Sequence, residues 1–204
     1  MHFALPNFLL TQKLLLTAYV IFNCGFALNA KFILFQQYLL DMGIIFNHYR
    51  ESNFEDLEKC MEKLQDFLVD IDSLKRLRKL PAYSKNYTKS LVKKIFKQEG
   101  LIILAYDQEK IVGCIAGIIE KQSKDNLLEY IPTKPGRILE LFVLDSYRGL
   151  RLGKQLMQPM EDYFKKNDCD VVRVEVFVPN KNAHNFYQNL DYSDRVVDMI
   201  KLLK

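Results

Sequence analysis

The chain opens on a long apolar stretch and becomes regularly amphipathic only after about residue 43. Up to Asp41 the only fully charged side chains are Lys13, Lys31 and Asp41, and residues 14–30 carry none. Further on, Ile44, Ile45 and Phe46 followed by polar residues predict a strand over 44–50. Ser52 with Glu55 three positions later has the form of a capping box, opening a helix over 52–70 on which Leu57, Cys60, Met61, Leu64, Phe67 and Leu68 recur at helical spacing. A second helix is predicted over 84–98, closed by Gly100 as a left-handed cap. The apolar runs 101–106 and 111–119 flank Asp107-Gln108-Glu109-Lys110 and predict a hairpin. A strong strand over 137–144 leads into an amphipathic helix over 149–166, with Leu152, Leu156, Met160 and Phe164 on one face. A buried strand over 171–178, a short helix over 183–190 and a closing strand or extension over 196–203 complete the pattern.

The strands at 137 and 171 are joined by a crossover helix and are expected to be parallel, whereas the hairpin is antiparallel. The fold class is therefore α+β, a mixed central sheet flanked by helices, with an apolar N-terminal extension. The chain divides into residues 1–41, of unknown role, and a domain over 42–204. The uncharged run of the first part falls slightly short of the ~20 residues of a spanning helix and is diluted by Asn23 and Asn29. Three readings of it stay open: a nonessential leader ahead of a start at Met42, a membrane-associating helix, or a secretory signal.

Composition narrows the function classes. Hydrophobic residues make up 49% and charged residues 26%, which suits a globular chain and excludes collagen-like or low-complexity structure. Cys24, Cys60, Cys114 and Cys169 are too far apart for a zinc-ribbon spacing, and His2, His48 and His184 form no metal pattern, so a reduced, cytoplasmic chain is expected. The net charge of +4 accommodates an anionic cofactor and disfavours nucleic acid as a partner.

The stretch richest in chemistry is Val143-Leu144-Asp145-Ser146-Tyr147-Arg148-Gly149-Leu150-Arg151-Leu152-Gly153-Lys154. A strand ends, the chain turns, and a helix begins whose first N–H groups lack intrahelical acceptors, an arrangement that favours phosphate. It is not a nucleotide-hydrolysing P-loop, because Gly149 and Gly153 are only four apart and Gln155 follows Lys154, and it is not GxGxxG.

This segment resembles the acyl-CoA loop of the GNAT superfamily of N-acetyltransferases, Q/R-x-x-G-x-G/A between a strand and a helix. Arg148 takes the first position and Gly153 the last, while Arg151 stands where the family commonly has glycine. Asn180, Ala183, Phe186 and Tyr187, then Leu190-Asp191-Tyr192, resemble the family's N-x-x-A-x-x-F-Y stretch followed by L-G-F, with Asp191 in place of the glycine. The resemblance implies direct transfer of an acetyl group from acetyl-CoA to a primary amine. It implies that the amides of Gly149, Leu150, Arg151, Leu152, Gly153 and Lys154 hold the pyrophosphate, with Arg148 and Arg151 as charge partners. The pantetheine arm would run along Leu141, Phe142 and Val143, and Asn180 would hold one of its amides. Tyr187 would be the general acid for the leaving thiolate. An alkylamine is protonated at neutral pH and needs a base; Glu140 is the candidate, with a solvent-side residue or a partner for substrate charge as the alternatives.

In the resembling family the acceptor is held by the first two helices, their connection and the loop before the fourth strand, here 70–87 and 121–136. The first is basic at Lys75, Arg76, Arg78 and Lys79; the second offers Asp125, Glu129 and Tyr130. A small-molecule amine is the first expectation, a protein or peptide amine the second, and a non-catalytic acyl-CoA sensor the third. A homodimer and membrane contact through 1–41 complete the expected partners.

Overall fold

A computed structural model describes residues 43–203 of the chain. The extension 1–41 and the readings attached to it lie outside the described residues. The residues from 46 onward form one compact unit, and the strand that leads into it begins at Ile44.

Five strands form one sheet in the order β1 (Ile44–His48), β2 (Leu101–Asp107), β3 (Lys110–Ile119), β4 (Pro135–Val143), β5 (Val171–Val174). The helices are α1 (Phe54–Ile71), α2 (Tyr83–Lys97), the single turn α3 (Asn126–Glu129), α4 (Leu152–Lys166) and α5 (Lys181–Gln188). The hairpin is antiparallel, as the two apolar runs predict, with Leu101 opposite Gly117 and Asp107 opposite Lys110. β4 adds antiparallel to β3, and β5 adds parallel to β4.

The sheet is covered on both faces because the strands alternate two sets of apolar side chains. On one face Leu57, Cys60 and Met61 of α1 and Leu91 and Ile95 of α2 pack with Ile102, Leu104, Cys114, Ala116, Ile118 and Phe142. On the other, α4 buries Leu152, Leu156, Met157, Met160 and Phe164, and the Phe164 ring lies over Gly136 where a β-carbon would collide with it. Removing about ten such side chains from water at 1.5–3 kcal/mol each is what drives the helices onto the sheet.

Several sequence expectations are corrected. Ser52 does not cap a helix: it sits in a 3₁₀ turn, Glu51–Asn53, and α1 begins only at Phe54. The reciprocal side chain there is Asn53, whose Oδ1 accepts from the Arg50 N–H at 3.0 Å. The left-handed residue after α2 is Glu99 (φ 46°), not Gly100. Gly100 is needed for space, since a β-carbon there would lie 2.5 Å from the Gly117 carbonyl oxygen. The helix expected from Gly149 starts at Leu152, with Arg151 left-handed (φ 57°) just ahead of it. The strand expected to run buried over 171–178 is four residues long and only half-buried. No strand forms over 196–203, where Val196, Val197, Met199, Ile200, Leu202 and Leu203 are exposed. Among the described residues no helix is long and apolar enough to cross a membrane.

Two irregularities of β4 open the sheet on one side. The register with β3 slips between Ala116 opposite Glu140 and Gly117 opposite Ile138, so Leu139 is an extra residue and the strand bends there. Pairing with β5 runs from Pro135 opposite Val171 to Ile138 opposite Val174 and then stops. Beyond Ile138 the two parallel strands part.

Candidate active site

The parting leaves one edge of β4 unpaired from Leu139 to Val143. The Leu144 N–H donates to the Val112 carbonyl of β3 at 2.8 Å, and backbone groups alternate sides along a strand. Leu141 and Val143 therefore direct their N–H groups into the gap, while Phe142 directs its own toward β3 and buries its ring in the core. Of the three residues expected to carry an extended arm, Leu141 and Val143 are turned the right way and Phe142 is not.

Beyond the gap lies the turn into α4. Gly149 has φ 79° and nothing within 4 Å of where a β-carbon would be. Arg151, two residues on, is also left-handed at φ 57°. Among the described residues the N–H groups of Gly149, Leu150, Leu152, Gly153 and Lys154 meet no backbone acceptor, the first intrahelical bond at this end being Gln155 to Arg151 at 3.1 Å. Gly153 keeps its place for a packing reason, since a β-carbon would sit 3.2 Å from the Phe186 ring of α5. Bare amides at a helix N-terminus favour an anion. Arg148 is already engaged: its Nε donates to the Val143 carbonyl at 3.2 Å, its Nη2 meets Asp145 at 2.8 Å, and its guanidinium covers the Phe67 ring of α1 at 4.9 Å.

Asn180 caps α5, its Oδ1 accepting from the Ala183 N–H at 3.1 Å. The cap directs Tyr187, 7% exposed, inward between the rings of Phe186 (5.2 Å) and Tyr192 (5.5 Å). Burial, and then the nearby Glu140 charge, push the Tyr187 phenol well above its ordinary range, so it stays protonated. Asp191 takes φ 64° where the family pattern has glycine, which keeps the turn.

Glu140 lies on the α1/α2 face of β4, opposite Ala116. Its Oε1 accepts a short hydrogen bond from the Tyr87 hydroxyl of α2, and the Tyr87 ring stacks on Tyr83 at 5.4 Å and 12°. Burial raises the Glu140 carboxyl above the usual carboxylate range, while the Tyr87 hydrogen bond and Lys94 oppose the rise. The arrangement thus brings together an acid that holds its proton, a carboxylate poised to take one, and backbone N–H groups able to polarise a carbonyl. Tyr87 and Tyr83 are members that the sequence did not single out: their i,i+4 spacing shows that they share a helix face but not that the face meets Glu140. Among the described residues no group of three or more His, Cys, Asp or Glu is placed to hold a metal.

This geometry meets a family match. The acetyltransferase (GNAT) family profile covers residues 51–192, and the chain belongs to that family. It is an acetyltransferase, and acetyl-CoA is its cosubstrate. It is 29% identical over 131 residues to an N-alpha-acetyltransferase of Sulfurisphaera tokodaii, a match covering 62% of this chain and 77% of that one. In fold it is similar to a putative acetyl transferase from Pyrococcus furiosus (TM-score 0.60, 18% identity, covering 78% of this chain and 99% of that one). It is also similar to AAC(6')-Iy, solved with the bisubstrate analog CoA-S-monomethyl-acetylneamine (TM-score 0.58, 14% identity, covering 78% and 98%).

Proposed function

We propose that the chain transfers the acetyl group to a primary amine that enters from the α2 side and meets Glu140. The observation that carries this is the Tyr87–Glu140 pair beside Tyr187, at the end of the gap between β4 and β5. Acetyl-CoA supplies a thioester whose carbonyl carbon is attacked directly. The chain's own groups do the rest. Glu140 takes a proton from the incoming ammonium, directly or through water, which frees the nitrogen lone pair. The Leu141 and Val143 N–H groups point to where the carbonyl oxygen gains charge. The new C–N bond forms as the C–S bond breaks, Tyr187 donates its proton to the departing sulfur, and the second proton shed by the acetylated nitrogen returns to the Tyr187 oxygen, while Glu140 gives its own to solvent. The amides of residues 149–154 hold the pyrophosphate, with Arg148 and Arg151 beside them, and the free amide end of Asn180 holds the arm.

Two acceptor classes remain to be separated. The relative named N-alpha-acetyltransferase supports a peptide or protein amine, and the cations of the α1–α2 connection and α2 would repel a polyamine or aminoglycoside. A small-molecule amine is the second reading, favoured by the carboxylate and stacked tyrosines, which suit a compact ammonium. We place the activity in residues 42–204 and the protein in the cytoplasm, in keeping with the free thiols of Cys60, Cys114 and Cys169. The test is CoA release by the full chain and by a chain beginning at Met42, given acetyl-CoA and a panel of peptides, amino acids, polyamines and aminoglycosides. Release with one amine class names the acceptor; acetyl-CoA binding without release from any amine leaves a sensor. Light scattering on the same preparation reads the homodimer that the family resemblance allows, and vesicle flotation reads membrane contact through 1–41.

A further inference from the structure

Residues 73–98 hold nine Lys and Arg and not one Asp or Glu. Setting those nine aside leaves 20 basic residues against all 25 acidic ones, so the rest of the chain is acidic by five while this stretch is basic by nine. It comprises the α1–α2 connection and α2. On α2, Lys85, Lys89, Lys93 and Lys97 recur every fourth residue, all exposed. That spacing puts successive lysines along one row about 6 Å apart. None of the four makes an ion pair among the described residues; in the connection, Lys79 shows the preferred partners by meeting Glu62 and Asp66 at 3.2 and 2.5 Å. The same helix supplies Tyr83 and Tyr87 to the site, and the Lys94 charge is felt at Glu140. The basic row and the Tyr83/Tyr87 pair thus occupy opposite faces of α2, and Tyr87 joins that helix to Glu140 on β4.

Resting on the peptide-amine reading above, we propose that the α2 lysine row is a docking track for the acceptor, an acidic polypeptide whose amine reaches Glu140 while its downstream carboxylates lie along Lys85, Lys89 and Lys93. Alternate side chains of an extended peptide are about 6.6–6.8 Å apart, close to the rise between the lysines. The row offers nothing specific to a nucleic acid. Lysines are point charges rather than forked phosphate clamps, and Phe96 is the one aromatic exposed along the helix, against the successive stacking platforms that single-stranded nucleic acid uses. A track of this kind selects its acceptor by charge beyond the reacting nitrogen and speeds encounter at low salt.

The test uses the full chain and two 12-residue peptides with the same free N-terminal residue, one continuing with alternating Glu and the other with Gln. The triple variant Lys85→Glu/Lys89→Glu/Lys93→Glu is compared with Lys63→Glu/Lys165→Glu/Lys166→Glu, which changes net charge equally on other elements. The acidic peptide is expected to show a KM about tenfold or more below that of the Gln peptide, a gap that closes at high salt. The α2 variant should lose that preference and the control keep it, with kcat on a dipeptide amine unchanged in both. Equal KM values, equal loss in the control, or tighter lysine-dependent binding of phosphatidylserine vesicles or poly-U RNA would overturn the proposal. Anisotropy with labelled peptides reads the track without turnover. Acidic-peptide binding through these lysines with acetylation of no amine would sink the acetyl-acceptor reading, whereas transfer to both peptides alike would sink the track alone.

Discussion

Up to Ile138, β4 is paired on both edges; past it, the strand keeps β3 and loses β5. In the first half Arg137 meets Glu120 at 2.8 Å and Glu175 at 2.5 Å, Arg173 reaches Glu120 at 3.4 Å, and Phe164 seals the sheet from above. In the second half the same backbone offers its N–H groups to a gap, next to a carboxylate, a phenol and a loop of bare amides. In the mechanism proposed above, one strand serves as scaffold at one end and as reagent at the other. The transition is made by one extra residue, Leu139, and by a four-residue partner strand that stops early. Reactivity begins where hydrogen-bond pairing is withheld.

Four substitutions probe that division, taken from the largest effect down. Phe164→Ala empties the seal over Gly136 and is expected to cost about 3–5 kcal/mol of stability, read by urea unfolding. Acetyl-CoA affinity of the fraction still folded should hold, and a parallel loss would erase the division. Tyr187→Phe should leave stability and acetyl-CoA affinity nearly intact and lower kcat by about 10²-fold; unchanged turnover removes Tyr187 from the acid role. Tyr87→Phe acts through Glu140. The lost hydrogen bond had favoured the charged carboxylate, so the Glu140 pKa rises further, and because the base works deprotonated, the acidic limb of the kcat/KM profile moves to higher pH. A profile that does not move breaks the Tyr87 link. Glu175→Gln removes a partner that is 79% exposed and should cost less than about 1 kcal/mol, with a small rise in KM for acetyl-CoA if the ion pair helps fix where the strands part.

The hairpin, the two long helices and the bare-amide turn were legible because each is written locally, in alternation, helical period and the glycines at 149 and 153. The conformations of Glu99 and Arg151 were not. Both are left-handed without being glycine: Glu99 precedes Gly100, which has no room for a β-carbon, and Arg151 leads directly into α4. The length of β5 was overread because Val174, Val176 and Val178 continue the apolar alternation past the point where the partner strand turns away. Tyr187 was nameable from family resemblance and Glu140 from its place on the central strand, whereas Tyr87 meets Glu140 across 53 residues of sequence, a pairing that no local pattern announces.

The start of the connection between α1 and α2 is organised by one buried carboxylate. Asp72 is 2% exposed and accepts from the N–H groups of Leu74, Arg76 and Leu77 at 3.0, 2.5 and 2.7 Å, bonds that hold its pKa below the usual value. A carboxyl lowered by folding adds stability above its unfolded pKa of about 3.9 and loses it as pH falls through the folded value. Protonating this one side chain would release the three N–H groups it gathers, and because its pKa is lowered, that release comes only below the pH at which an ordinary carboxylate is protonated.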